Sequence, residues 1–299
     1  MNRIKIIIPY FGKLPDTFPF WYNSALDNQD VDYLFITDCD VKEAPNFKVE
    51  KTTLEEETAR YEKALGMKLS IPTAYKLCDF RTAYGVIYAE ELEGYDFWGF
   101  GDVDLVYGRI RHFLTEEILE RYDMINCWGH LCLYRNYEFT NKVFMERHEG
   151  YLDYEDVFSD PEHRFFEELW SKGTPAVMCD FHSDRALRCE PFFDDVAIPD
   201  LFKHFKSYYS RERKCMTFIH KDRALYRVYF DSRFRRHEEQ TMYAHFQKRK
   251  GWTIDVDDYS DYIIYPNVFR RPFRFLQNLR LAWYGTPRII DYLAQKLGK

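Results

Sequence analysis

What this 299-residue chain lacks already narrows its class. The N-terminus passes from Met1 through two cations straight into IIIPYFG, an apolar run too short for a signal peptide and far too short to span a bilayer. Export by that route is not expected. The seven cysteines (39, 78, 127, 132, 179, 189 and 215) are odd in number and scattered, and no two form a C-x-x-C pair. That pattern argues against a disulfide framework and against a structural zinc site, and it fits a reducing cytoplasm. No Gly-rich phosphate loop follows the first apolar run, and the chain shows no internal repeat, low-complexity tract or linker. Excess positive charge is missing too: the net charge of −7 argues against non-specific nucleic-acid binding. That figure hides an asymmetry. Residues 266–299 carry seven basic residues against the single acid Asp291, a net of +6, which leaves −13 on the rest.

Aromatic residues, by contrast, make up 19% of the chain, enough for sugar-stacking surfaces as well as core. The run IKIIIP (4–9), ending in Tyr10, Phe11 and Gly12, reads as a buried first strand followed by a loop. A second such run, YLFIT (33–37), is followed by Asp38, Cys39 and Asp40, and the stretch between the two has the composition of a loop entering a helix. A β-loop-α-β opening predicts a parallel sheet and an α/β fold. Ligands of such sheets bind at the carboxyl ends of the strands, so residues 10–12 and 38–40 are expected to line one crevice. Residues 54–70, 72–92, 115–122 and 162–172 read as helices; 95–108, 123–128, 175–179 and 225–230 read as strands.

The chemistry concentrates in YDFWGFGDVDLVYG (95–108). In an extended segment residues two apart face the same side, so Asp102 and Asp104 converge while Val103 faces away. Two carboxylates brought together repel, and a hard divalent cation, Mn²⁺ or Mg²⁺, resolves the repulsion while keeping positions open for substrate phosphates. Gly99, Gly101 and Gly108 flank the pair and permit close backbone approach. An acid pair on a solvated loop is the plainer alternative, but acids within an aromatic, strand-like run cost stability unless something satisfies them.

AYKLCDFRTAYG (74–85) and YDFWGFGDVDLVYG, with the opening IIIPYFGKLPDTFPFW and the later YAHFQKRK (243–250), resemble a family of bacterial glycosyltransferase-like proteins of capsule and surface polysaccharide synthesis. More distantly the chain is similar to the GT-A enzymes with a D-x-D motif. That resemblance implies a Rossmann-type mixed, mostly parallel sheet flanked by helices. It implies one catalytic domain over 1–265, with a nucleotide-sugar and metal half (1–115), an elaborated acceptor half (116–265) and a basic amphipathic tail (266–299). The cofactor implied is Mn²⁺ or Mg²⁺ on Asp102 and Asp104, with Asp104 at the catalytic centre, His245 as third ligand, and Lys248 or Arg249 on the diphosphate. A helix ahead of the motif would bring Lys76, Asp79 and Arg81 to the nucleotide. The two cations can neutralise phosphate, and Asp79 can orient Arg81 or accept from ribose or base. A salt-bridged helix face gives the same pattern.

Tyr10 or Phe11 can stack on a nucleobase, Gly12 gives room, and Asp38 can bind a ribose hydroxyl or cap the following turn. For the acceptor, Trp128, His130 and Arg135 can bracket a sugar or its phosphate. Glu167, Glu168 or Asp184 can act as base if the reaction inverts configuration. The expected partners are a nucleotide-sugar donor, UDP-linked, and a saccharide or lipid-linked acceptor. The basic tail, Arg interleaved with Phe, Leu and Trp, would rest peripherally on the inner face of the plasma membrane. Two rivals remain: a metal-dependent nucleotidyltransferase, which the missing Gly-rich loop disfavours, and a non-catalytic carbohydrate-binding protein.

Overall fold

The computed structural model describes residues 1–190, 192–196, 216–231, 233, 235–247 and 249–272. The chain opens with β1 (Ile4–Tyr10), α1 (Phe18–Asp27), β2 (Asp32–Thr37), β3 (Phe47–Lys51), α2 (Leu54–Leu65), a 3-10 helix (Ala74–Ala83), α3 (Tyr84–Ile87) and β4 (Phe97–Gly101). It continues through β5 (Leu105–Tyr107), α4 (Ile110–Phe113), α5 (Glu116–Arg121), β6 (Met124–Trp128), β7 (Leu131–Arg135), α6 (Glu138–Lys142), α7 (Tyr154–Ser159), α8 (Thr174–Phe181), β8 (Ala186–Leu187) and β9 (Asp194–Asp195). The later strands are β10 (Thr217–Lys221), β11 (Ala224–Phe230), β12 (Arg236–Thr241), β13 (Tyr243–His245), β14 (Thr253–Asp255), β15 (Tyr262–Tyr265) and β16 (Val268–Arg270).

Two compact units divide these elements. The first comprises residues 1–14, 29–102 and 114–189; the second comprises 15–28, 103–113 and 190–299. The first unit is a mixed α/β, Rossmann-like fold on a seven-stranded sheet ordered β3-β2-β1-β4-β7-β6-β8. The run β3-β2-β1-β4 is parallel, β7 is antiparallel to both its neighbours β4 and β6, and β8 is parallel to β6. Strand β1 is central among the parallel strands, and Ile4, Ile6, Ile7 and Ile8 are all buried, as a continuous apolar run requires of a strand covered on both faces. Trp98 of β4 stacks on Tyr134 of β7 and donates its indole N–H to Asn141 Oδ1 at 2.7 Å. Gly99, between them, lets the strands approach: a Cβ there would stand 2.5 Å from the Cys132 carbonyl.

Helix α2 begins at a capping box between Thr53 and Glu56 and ends at Gly66, whose φ of +66° closes the last turn. The helix expected over 54–70 therefore stops at Leu65. Of the helix expected over 72–92, Ala74–Ala83 is wound as a 3-10 helix and only Tyr84–Ile87 as an α-helix, and the burial pattern explains the tighter winding. Leu77, Phe80 and Ala83 form one buried row and Lys76, Asp79 and Thr82 a second, both spaced by three, which matches three residues per turn and not 3.6. Residues 162–172 are not helical either: Phe165 and Lys172 carry positive φ, and the Arg164 and Phe166 amides donate to the Asp79 carboxylate. Residues 175–179, expected as a strand, lie in α8, where Pro175 occupies the first turn that tolerates it.

The second unit packs Phe20 of α1, Val106 of β5, Phe218, Leu225, Phe246, Ile264 and Phe269 into its own core. Its sheets are ordered β12-β11-β10-β15-β16-β14 and β5-β13-β9. Phe20 and Phe269 stack with ring centres 3.8 Å apart. The segment 95–108, expected as one strand, is interrupted at 102–104, so β4 and β5 join different sheets. Residues 268–270, within the expected basic tail at 266–299, are strand β16; residues 273–299 of that tail lie outside the described residues. No helix among the described residues is long and apolar enough to cross a membrane.

Candidate functional site

In the first unit, Tyr10, Asp38 and Asp102 lie at or directly after the carboxyl ends of β1, β2 and β4, three adjacent parallel strands. Sequence reasoning places ligands at this edge. Two of its loops are tied together: the Gly12 amide, at φ +96°, donates to Asp38 Oδ1 at 2.9 Å, and the Cys39 thiol lies 2.8 Å from the Gly12 carbonyl. The Tyr10 hydroxyl donates to the Lys13 carbonyl and its ring stacks on Phe35, while Phe11 packs partly into the core.

Asp102 is fixed from two sides. Its amide donates to the His130 carbonyl at 3.0 Å, and its carboxylate accepts from Arg81 Nη2 at 2.6 Å. The other arm of the guanidinium, Nη1, donates to the Gly129 carbonyl at 2.7 Å. Arg81 is thus a planar fork bridging a carboxylate and a backbone acceptor, a task for which Lys is no substitute. Glu168 sits beside this pair and accepts a hydrogen bond from the Gly129 amide. Burial, reinforced by the neighbouring Glu167 carboxylate, pushes its pKa up to about 8. Glu167 itself is buried.

Several residues expected at the ligand are engaged elsewhere. The Lys76 ammonium is buried and donates to Asp79 Oδ2 and to the Val157 and Glu162 carbonyls, each at 2.7 Å, so its three protons are all taken up. Asp79 is likewise internal, accepting from Lys76 and two backbone amides. These two residues knit the 3-10 helix to the segment 157–166, and the geometry removes them from the donor set. Arg135 binds Asp123 Oδ1 at 2.8 Å and the Leu119 and Tyr122 carbonyls, which makes it scaffold and not an acceptor contact. Trp128 is partly buried against the core and His130 is buried. Asp184 lies exposed on the turn after α8, without the burial that tunes an acid for catalysis.

In the second unit, Asp104 and His245 face one another. His245 ends β13: its Nε2 lies 3.4 Å from Asp104 Oδ1, and the Phe246 amide donates to the Asp104 carbonyl at 3.0 Å. The opposite ring nitrogen, Nδ1, binds Asp195 Oδ1 at 2.9 Å, and Gln247 Nε2 donates to the same oxygen at 2.7 Å. Burial alone would favour a neutral ring, but the Asp104 and Asp195 carboxylates outweigh it and raise the His245 pKa to about 10. An imidazole oriented through Nδ1 by a carboxylate, with Nε2 aimed at a second carboxylate, is the donor arrangement of carboxylate–histidine–metal sites. The oxygen and nitrogen set fits a divalent cation.

Asp195 was missed by sequence reasoning. The acids in FFDDV share one part of the signal read at 102 and 104, carboxylates set in an apolar stretch, but lack the two-residue spacing, and the neighbouring Asp194 is buried against Arg227. Arg249 is buried and donates to Asn267 Oδ1, so it too is engaged in the fold, while Lys248 lies outside the described residues.

Residues 6–272 match a family described as a family of unknown function (DUF6625). No curated protein matches the chain. Among solved structures it is similar to A197 from STIV, at 15% identity over 62% of this chain and 82% of that one, with a TM-score of 0.29. It is also similar to the apo-form glycosyltransferase GlyE of Streptococcus pneumoniae TIGR4, at 10% identity over 64% of this chain, with a TM-score of 0.29. The match spans 46% of the GlyE chain.

Proposed function

Because this chain belongs to the family of unknown function DUF6625, we propose its function from its own residues: a metal-dependent glycosyltransferase that moves a sugar from a nucleotide-sugar, UDP-linked, to a saccharide or lipid-linked acceptor. The observation that carries the reading is the position of Asp102 directly after β4, on the edge where Tyr10–Gly12 and Asp38 follow β1 and β2. Asp104 follows two residues later, with His245 already aimed at it by Asp195.

Asp102, Asp104 and His245 would hold Mn²⁺ or Mg²⁺, which when bound supplies Lewis-acid stabilisation of the leaving diphosphate. The rest is work of the chain. Asp195 fixes the His245 tautomer and ring plane. Arg81 orients the Asp102 carboxylate and adds positive charge beside it. Tyr10 offers a ring face to the base, and Asp38 an acceptor to ribose. Glu168, poised at about 8, holds a proton at neutral pH and would take one from an acceptor hydroxyl in its ionised form, which gains population as pH rises towards 8. Acceptors carried on lipid would be met at the inner face of the plasma membrane, and the basic residues of the C-terminal tail would assist there.

Thermal-shift measurements with nucleoside diphosphates and nucleotide sugars, with and without Mn²⁺, test the reading. Stabilisation by UDP that requires the metal and disappears in Asp104→Ala is expected. Preference for a nucleoside triphosphate would move the assignment to nucleotidyl transfer. Saccharide binding without any metal-dependent nucleotide effect would leave a carbohydrate-binding protein.

A further inference from the structure

A second group of ligating side chains lies within the first unit, independent of the acid pair. Cys78, His163 and Glu167 present a thiol, an imidazole and a carboxylate whose ligating atoms all lie within 4.8 Å of one another. Two members of this group, the buried Glu167 and the half-buried His163, are poorly satisfied by protein. The His163 side chain is 10% exposed, and neither ring nitrogen has a hydrogen-bond partner. The Glu167 side chain is 4% exposed, and its Oε2 has none either. Leaving such groups unpaired is unfavourable, and a ligand that pairs them would remove that cost. His163 Nε2 lies 3.4 Å from Glu167 Oε1 and 3.5 Å from Asp79 Oδ1, in neither case with hydrogen-bond geometry. Two ligands bound tetrahedrally at about 2.0–2.3 Å from one ion stand roughly 3.3–3.8 Å apart.

The scaffold around the three is rigid. Cys78 precedes Asp79 in the 3-10 helix, and the Asp79 carboxylate accepts the Arg164 and Phe166 amides. Those two amides sit one residue inside His163 and Glu167, so a single buried acid locks both contributing segments together. The imidazole is flanked by the Tyr75 ring, edge-on at 4.5 Å, and by the Phe165 ring at 4.1 Å. Phe165 holds a φ of +59°, a conformation that bulky residues rarely adopt and that here folds the turn back over Asp79. Nearby cations are engaged in ion pairs with other acids, Lys76 with Asp79 and Arg81 with Asp102. Cys78 is half-buried, and burial pushes its thiol pKa up, so the thiolate forms there only with a cation beside it.

We infer that Cys78, His163 and Glu167 form a binding site for Zn²⁺ or a cation of similar softness, with three protein ligands and a fourth position open to water. A thiolate and an imidazole select a borderline-soft ion over the Mn²⁺ or Mg²⁺ expected between carboxylates. The ion would pin the 3-10 helix to the turn 163–167, and binding would displace the thiol proton.

Titration of the full chain with Co²⁺, a spectroscopic stand-in for Zn²⁺, tests the site. One equivalent giving a thiolate-to-cobalt charge-transfer band, erased by added Zn²⁺, is expected. The band should vanish in Cys78→Ser and persist in Asp104→Ala, and cobalt affinity should fall about 10-fold or more in His163→Ala and in Glu167→Gln. Cobalt binding without the band, a band that survives Cys78→Ser, or unchanged affinity in both of the other variants would overturn the inference. Should Cys78→Ser fail to fold, the Glu167→Gln affinity decides alone. Loss of nucleotide binding in Asp104→Ala bears only on the transferase reading, so the two can fail separately.

Discussion

Arg81 joins Asp102 to Gly129: one arm of its guanidinium holds the carboxylate at 2.6 Å and the other the carbonyl at 2.7 Å. Replacing Arg81 with Ala leaves both acceptors without this donor in a partly buried place and should lower unfolding stability by about 3 kcal/mol. Arg81→Lys keeps the charge but cannot span both acceptors, and should lose about half as much. Urea denaturation measures both. A loss below about 0.5 kcal/mol in Arg81→Ala, the range of a surface pair, would show that the fork contributes little.

Lys76 is a second test of scaffold against ligand. Lys76→Met strands the buried Asp79 carboxylate and two carbonyls and should cost roughly 4 kcal/mol. Lys76→Met combined with Asp79→Asn should recover part of that loss, because the uncompensated charge is gone. If Lys76→Met kept full stability and lost only nucleotide affinity, the ammonium would belong to the ligand site after all.

The contrast between these residues shows where sequence reasoning ended. The β-branched run at 4–8 and the run at 33–37 were legible as strands because burial and periodicity are local properties. The 3-10 helix was not, since a row of apolar residues at 77, 80, 84 and 87 also fits a period of 3.6. Only the second row at 76, 79 and 82, polar yet buried, betrays the tighter winding. Asp79 and Lys76 carry the charges expected of a phosphate site, and their partners at 157–166 lie more than 75 residues away in sequence. The same holds for Asp195, which meets His245 across 50 residues.

Two glycines should respond to substitution for different reasons. Gly99→Ala forces a methyl group against the Leu133 side chain and the Cys132 carbonyl in the middle of the sheet, an overpacking that should cost about 3 kcal/mol. Gly12→Ala meets nothing within 4 Å, but its φ of +96° strains any L side chain, and about 1–2 kcal/mol is expected. Stability curves should rank Gly99→Ala as the more damaging, and the reverse order would contradict the packing of β4 on β7.

Glu168 predicts a pH dependence of one sign. Its folded pKa, about 8, exceeds the ordinary glutamate value, so between those limits the folded chain holds a proton that the unfolded chain has released. Stability should therefore fall as pH rises from about 5 to 8, by at most about 1.4 kcal/mol per pH unit from this group. Glu168→Gln should flatten that part of the profile. A profile identical to that of the unaltered protein would mean the carboxyl is not held neutral.

His245 predicts a separate slope at higher pH. Its folded pKa of about 10 lies above the ordinary histidine value of 6.5, because two carboxylates hold the charged ring against the effect of burial. The stabilisation from that charge is complete below about 6.5 and is lost as pH rises towards 10. His245→Gln should remove this upper slope, and Asp195→Asn should shift it to lower pH by deleting one of the two carboxylates. A divalent ion that takes Nε2 must displace the same proton, so Mn²⁺ affinity should increase with pH over this interval in the unaltered protein. In His245→Gln the affinity should be weaker and should lack that histidine-linked increase. Manganese titrations followed by calorimetry at several pH values separate the two cases, and an affinity independent of pH would remove His245 from the proposed ligand set.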